Sequence, residues 1–114
     1  MTAGLYNFTC EQGVTFHRTL VLSDANGPLN LTGFSARMQV RKQIDAPEVL
    51  IELSTDNGRI TLEVNTGTVL LDVSAEDTAA IHRPGFYDLT LYNPSGEVVR
   101  VIEGQFFLRK AVTR

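Results

Sequence analysis

Apolar and polar residues alternate along most of the chain, which is the pattern of strands with one buried and one exposed face. From Phe34 to Arg41, apolar residues occupy every second position and polar residues fill the positions between them. Shorter runs of the same period cover residues 49–53, 60–64, 69–73 and 87–91. Residues 14–22 alternate in the same way, with Arg18 as the exception. The pattern therefore predicts a chain built from short β-strands.

Turn-forming residues separate these runs. Asn57-Gly58 is expected to form a tight hairpin turn with positive φ at both central residues, and Thr66-Gly67 is expected to close the next hairpin. All 4 prolines fall in predicted reversals, where a missing N–H breaks no ladder. About 7–8 short strands at this spacing predict an all-β, antiparallel β-sandwich or barrel.

One segment departs from the alternation. Ser74 supplies a capping hydroxyl, and acidic and small residues follow it, which predicts a short helix near residues 75–81. This stretch resembles the corner of immunoglobulin-type domains, where a similar segment precedes a Gly-x-Tyr sequence; Gly85, Phe86 and Tyr87 match it here. The resemblance implies an immunoglobulin-like antiparallel β-sandwich with one short helix.

The last apolar run extends from Val98 to Arg109, and its alternation changes phase near Gly104. A β-bulge at this glycine would re-aim the following side chains. Phe107 is then expected to face outward, where an exposed aromatic side chain is a candidate subunit contact.

Composition narrows the classes of function. The 114 residues fit one domain, and a net charge of −3 gives no reason to expect nucleic acid or an anionic membrane as a partner. A single Cys excludes an intrachain disulfide and, with 2 His, argues against a structural zinc site. No apolar run approaches the roughly 18–20 residues that span a bilayer, and the first residues do not read as a secretory signal.

Residue types that carry catalysis occur without the partners that catalysis needs. His17 lies on the polar side of a predicted strand and His82 in a loop, so both are interpreted as solvated. Cys10 is interpreted as a small buried or half-buried thiol. Glu52, Glu63 and Asp72 could line up on one sheet face, as glycoside hydrolysis would require, although a solvated acidic face is the preferred interpretation. A hydrolase remains a third and least favoured hypothesis.

Charge is distributed unevenly along the chain. Residues 1–47 sum to +1, residues 48–97 to −7 and residues 98–114 to +3. An acidic middle and a basic tail on one small body favour head-to-tail contact between copies. The alternative is that the signs intermix once the chain folds.

Several motifs follow one another in a characteristic order. Leu31-Thr32-Gly33 leads into the basic strand that ends at Arg41, and an Asn-Gly turn, the acidic helix, Tyr87-Asp88-Leu89 and a closing strand with Glu103-Gly104 follow. In this order, over residues 13–114, the chain resembles the small β-sandwich proteins encoded in the structural modules of tailed bacteriophages. The resemblance implies a non-enzymatic virion protein of the tail, baseplate, fibre adaptor or neck, made in the host cytoplasm.

Such a protein is expected to act by symmetric contacts with copies of itself and with other virion proteins, without nucleic acid, membrane, metal or cofactor. Residues 1–12 are expected to form an N-terminal segment, an arm or an edge strand, and residues 13–114 a single β-sandwich domain. The contacts are expected from both ends of the chain, at Leu5, Tyr6, Phe8, Phe107, Arg109 and Lys110.

A second hypothesis is a host-surface module that binds glycan through loops at one end of the sandwich. Sugar sites commonly use aromatic platforms, and the chain has no Trp and 3 Tyr. Tyr87 and Tyr92 lie in predicted strands, which leaves Tyr6 outside them.

Overall fold

The computed structural model describes residues 3–113, which form eleven strands and one helix. The elements in chain order are β1 (Gly4–Leu5), β2 (Phe8–Glu11), β3 (Phe16–Val21), β4 (Ser23–Asp24), β5 (Gly27–Pro28), β6 (Ser35–Arg41), β7 (Ile51–Ser54), β8 (Ile60–Glu63), β9 (Thr68–Val73), α1 (Ala75–Ala79), β10 (Gly85–Tyr92) and β11 (Val98–Arg109). Eight of the strands have four residues or more. The predicted all-β class with one short helix is confirmed.

The strands form two main sheets around one core. In the larger sheet of six strands, β1 and β2 both pair with β11, and the order continues through β10 and β6 to β7. In the smaller sheet, β9 lies between β3 and β8, and β4 and β5 form a separate hairpin. One cluster of buried side chains contains Met38 and Leu89 from the larger sheet and Val69 and Leu71 from the smaller. The alternating apolar positions of both sheets therefore share one interior.

The N-terminal strands depart from the predicted antiparallel arrangement, because β1 and β2 both run parallel to β11. Gly4 pairs with Ile102 and Phe8 with Phe106, so the two strands keep one register and form a single edge strand with a kink between them. After β2 the chain crosses to β3 in the smaller sheet. Because no hairpin connects β2 to a neighbouring strand of its own sheet, β2 need not run antiparallel to that neighbour. The boundary predicted after residue 12 falls at this crossing, and Met1 and Thr2 lie outside the described residues.

The prediction of an Asn57-Gly58 hairpin is wrong, because β7 and β8 belong to different sheets. Gly58 has a φ of 80°, whereas Asn57 does not adopt a positive φ. The Asn57 side chain organises the crossing: its Oδ1 accepts the backbone N–H groups of Ser54 and Arg59, each at 3.0 Å. The Thr66-Gly67 hairpin is confirmed, since β8 and β9 pair on either side of it.

The helix α1 is fixed to the crossing between β2 and β3. Ser74 Oγ accepts the Asp77 N–H at 3.1 Å, as expected of an N-cap. The fully buried Thr78 accepts the Gly13 N–H at 3.0 Å and donates its hydroxyl proton to the Val14 carbonyl at 2.9 Å. The buried Thr78 hydroxyl therefore joins the helical corner, predicted near residues 75–81, to the link between β2 and β3.

The predicted bulge near Gly104 lies three residues earlier. Leu89 pairs with Ile102 and Thr90 with Arg100, so Val101 is the extra residue of β11. Gly104 itself lies in the regular ladder opposite Tyr87. A Cβ at Gly104 would overlap the backbone carbonyl of Tyr6, which lies in the adjacent edge strand between β1 and β2. Residue 104 therefore has to be glycine because of this close approach, and not because of a bulge.

We expect Gly104→Ala to lower the free energy of unfolding by about 1–3 kcal/mol, because the added methyl group must displace the Tyr6 backbone. Urea unfolding followed by circular dichroism measures the change. Gly4→Ala is the matched control in the same strand pair, since its Cβ would lie 3.7 Å from Ile102 Cγ2, an ordinary contact. Its effect should stay within about 0.5 kcal/mol, and equal losses in the two variants would contradict this account of Gly104.

Candidate functional site: a groove on the outer face of the larger sheet

An open groove of about 670 Å³ lies on the face of the larger sheet that points away from the core. Side chains of β6, β10 and β11 form its floor; they are Gln39, Arg41, Asp88, Arg100, Glu103 and Gln105. One wall is the N-terminal segment at Leu5, Tyr6 and Asn7, and the other is the link between β6 and β7 at Ile44. We call this concave surface the outer-face groove.

Large apolar side chains are exposed around the groove. The exposed fractions are 84% for Leu5, 82% for Ile44, 53% for Tyr6 and 38% for Phe86. Single exposed apolar residues are ordinary on protein surfaces, but several around one concavity are typical of a binding site.

Ion pairs and amide hydrogen bonds hold the floor side chains in place. Arg100 lies 3.2 Å from the Asp88 carboxylate and 3.9 Å from that of Glu103. Arg41 donates to Gln39 Oε1 at 2.8 Å and to the Ala46 carbonyl at 2.7 Å. Two cations and two carboxylates therefore line the floor, which presents polar groups without a net charge.

Next to the groove, Glu52 extends the polar network of the floor. Gln39 Nε2 donates to its carboxylate at 2.6 Å and Arg37 Nε donates to it at 2.8 Å. These hydrogen bonds, from Gln39 first and then Arg37, lower the pKa of Glu52, and the Glu52 carboxylate raises the pKa of Arg37. Glu52 is thus held as a charged acceptor that orients both neighbours.

The N-terminal wall is held by an arrangement that we call the Tyr87–Tyr6 latch. The Tyr6 carbonyl accepts the Tyr87 hydroxyl proton at 2.5 Å. Asn7 Oδ1 accepts the Gln105 N–H at 2.9 Å, in the position that a backbone carbonyl would take in a regular ladder. The Tyr6 ring also meets the buried Phe8 ring edge-on at 5.1 Å. The wall is therefore tied both to the sheet and to the core.

The predicted contact residues of the N-terminal segment have two different environments. Leu5 and Tyr6 are exposed at the groove. Phe8 is only 1% exposed and packs against Tyr87 and Phe16, with ring centroids 4.9 and 5.7 Å away. The fold places the Phe8 side chain in the core, where a partner could not contact it.

The predicted contact residues of the C-terminal strand lie outside the groove. Phe107 is 43% exposed on the same outer face and pairs with Thr9 of β2. Arg109 ends β11, and both Arg109 and Lys110 are exposed. The structure thus separates the Leu5–Tyr6 wall from these C-terminal residues.

Sequence analysis missed Ile44 and Phe86. Ile44 stands alone among polar residues between two strands, and an apolar residue without an alternating neighbour is a signal of exposure. Phe86 lies out of phase with Tyr87, Leu89 and Leu91, which face the core, so the alternation itself assigns it to the outer face.

The residues considered for catalysis are not brought together. Glu52 belongs to the larger sheet, whereas Glu63 and Asp72 belong to the smaller, so the three acids do not share one face. His17 is exposed, with Nδ1 3.5 Å from Asp72. Burial raises the pKa of the Cys10 thiol.

Within residues 3–113, no group of three or more His, Cys, Asp or Glu side chains is arranged to hold a metal ion. The same residues contain no helix long and apolar enough to cross a membrane. No protein-family model and no curated protein matches the chain.

We expect stability to fall as the pH rises above about 10, because burial raises the pKa of Tyr87 in the folded state and the unfolded chain loses this proton first. Tyr87→Phe should lower stability at neutral pH by about 0.5–1.5 kcal/mol through loss of the latch hydrogen bond. The variant should also show a flatter decline above pH 10. Urea unfolding as a function of pH measures both effects, and an unchanged alkaline decline would contradict the assignment to Tyr87.

Proposed function

We propose that the chain is a non-enzymatic assembly protein that binds other proteins through the outer-face groove. The observation that carries this proposal is the exposure of Leu5, Ile44, Tyr6 and Phe86 around one concave surface. Covering apolar surface is favourable by roughly 25 cal/mol per Å², so a partner that fills the groove gains binding energy from these walls. The polar side chains of the floor can fix the orientation of a partner. Because ion pairs and hydrogen bonds already hold these side chains in place, binding costs less conformational entropy.

We further propose that the fold is an immunoglobulin-like β-sandwich. The strand order supports it: β3, β9 and β8 correspond to one sheet of such domains, and β6, β10 and β11 to the other, with β7 as an additional strand. The corner helix α1 precedes β10 at the expected place. One departure is Tyr87, whose hydroxyl bonds to the N-terminal segment at Tyr6 and not to the corner backbone.

The assembly in question is, we propose, the virion of a tailed bacteriophage, with the protein in the tail, baseplate, fibre adaptor or neck. The order of motifs from Leu31 to Gly104 supports this. The partners are then copies of the chain and other virion proteins, and the protein moves from the host cytoplasm into the particle during assembly.

A second candidate function is binding of a host-surface glycan in the same groove. The Tyr6 and Phe86 side chains lie beside the amide side chains of Asn7, Gln39 and Gln105. Aromatic rings and planar amides are the groups that contact the faces and the hydroxyl groups of sugars. The exposed aliphatic side chains of Leu5 and Ile44 favour a protein partner over a sugar.

We expect the double variant Leu5→Ser/Ile44→Ser to be incorporated into particles at least about tenfold less than the wild type, because two apolar contacts are lost. The measurement is quantitative mass spectrometry of purified particles whose genome encodes the chain. Val21→Ser is the matched control, since Val21 is 64% exposed on the smaller sheet, away from the groove. Normal incorporation of the double variant, or absence of the wild-type protein from the particles, would refute the proposal.

The glycan hypothesis makes a different prediction. A glycan array should then show binding by the wild type that Tyr6→Ala removes, while Leu5→Ser/Ile44→Ser is incorporated normally. An array without binding would eliminate this candidate.

A further inference from the structure

The chain contains two Asn-Gly dipeptides, Asn26-Gly27 and Asn57-Gly58. Such dipeptides deamidate spontaneously faster than other asparagine sequences, because glycine has no side chain to hinder attack of its backbone nitrogen on the preceding side-chain amide. Both asparagines are exposed, and both glycines have a positive φ, 112° at Gly27 and 80° at Gly58. Neither exposure nor the sign of the glycine φ therefore distinguishes the two positions.

Hydrogen bonds hold the amide of Asn57 in place. Its Oδ1 accepts the N–H groups of Ser54 and Arg59, and its Nδ2 donates to the Glu52 carbonyl at 2.9 Å. Arg59 is itself fixed, because its guanidinium donates to the Glu52 carbonyl and to the Asp77 carboxylate, each at 2.8 Å. Deamidation makes the planar amide carbon tetrahedral and moves it toward the backbone, and these three hydrogen bonds of Asn57 oppose that movement.

The amide of Asn26 has no such contacts. Within residues 3–113 its side chain makes no hydrogen bond, and only its backbone N–H is bonded, to Asp24 Oδ1 at 2.8 Å. The Gly27 nitrogen lies in the ladder of β4 and β5, which has two residue pairs and belongs to neither main sheet. An isolated two-stranded hairpin is only marginally stable, so this tip can open without unfolding of the core.

The two modifications would also differ in their effect on the fold. At Asn57 a carboxylate oxygen would replace the Nδ2 donor and face the Glu52 carbonyl, so an attraction would become a repulsion. At Asn26 the side chain has no hydrogen bond to lose among the described residues, and the new carboxylate would be exposed to water. The hydrogen bonds that protect Asn57 are therefore ones that the fold needs, whereas the hairpin tip tolerates the change.

We propose that Asn26 is a site of spontaneous deamidation and that the fold protects Asn57 from the same reaction. The Gly27 nitrogen forms a bond to Cγ of Asn26, the Cγ–Nδ2 bond breaks, and the side-chain nitrogen leaves as ammonia with the proton that Gly27 loses. Water then opens the succinimide at either carbonyl and leaves aspartate or isoaspartate, without any other reactant. The product carries one negative charge in addition to the net charge of −3.

The folded wild-type chain, incubated at mildly alkaline pH, tests the proposal. Peptide mapping by mass spectrometry measures deamidation at both asparagines in one sample, so each serves as the reference for the other. Asn26 should react at least about tenfold faster than Asn57, because three fewer hydrogen bonds must break. In urea, where both peptides are unfolded, the two rates should become similar.

Two substitutions that imitate the products test the protection separately. Asn57→Asp should lower the urea midpoint of unfolding, because it loses the donor to the Glu52 carbonyl, whereas Asn26→Asp should leave the midpoint unchanged. Circular dichroism follows unfolding of both variants under the same conditions. The two substitutions change the charge equally, so a difference between them reports the local contacts.

Three results would each overturn the proposal: equal rates at the two asparagines in the folded chain, a rate ratio that persists in urea, or equal urea midpoints of the two variants. A persistent ratio would assign the difference to sequence and not to the fold. The hairpin of β4 and β5 does not line the outer-face groove, so these results are independent of the assembly role.

Discussion

The parallel pairing of the N-terminal segment with β11 is the constraint on which the rest of the structure depends. Phe8 and Cys10 enter the core from this segment, and Leu5 and Tyr6, a few residues earlier, form one wall of the groove. Because β1 and β2 keep one register on β11, the position of the wall is set by the burial of Phe8. Stability and the candidate site therefore share the same short stretch of chain.

The kink between β1 and β2 is tolerated because the two ladder groups that it separates, the Tyr6 carbonyl and the Gln105 N–H, each find another partner. The Tyr6 carbonyl leaves the ladder and accepts from Tyr87, while Asn7 supplies the missing acceptor to Gln105. Among residues 3–113, no buried side-chain nitrogen or oxygen lacks a hydrogen-bond partner. Since an unpaired buried group costs about 1–3 kcal/mol, the substitute hydrogen bonds of the Tyr6 carbonyl and the Gln105 N–H help the kinked edge strand to be stable.

The strands could be predicted because alternation records which side chains are buried, as in the run from Phe34 to Arg41. Alternation does not record direction or neighbour, so neither the parallel edge strand nor the sheet crossing at Asn57 could be inferred. Arg18 interrupted the pattern for a reason visible only in the fold: it lies 4.5 Å over the Phe16 ring and donates to the Thr9 carbonyl at 2.8 Å. The groove itself was not predicted: Leu5 and Tyr6 were named as contact residues because they precede the main domain, whereas Ile44 and Phe86 become their neighbours only when β6, β10 and β11 are adjacent.

Binding in the outer-face groove would depend on apolar contact more than on charge. Arg100 in the groove floor is neutralised by Asp88 and Glu103, so binding there depends on apolar contact and should respond weakly to salt. Leu5 and Ile44 are 84% and 82% exposed and lie on opposite walls, so the apolar contact is greatest for a partner that spans the floor and covers both.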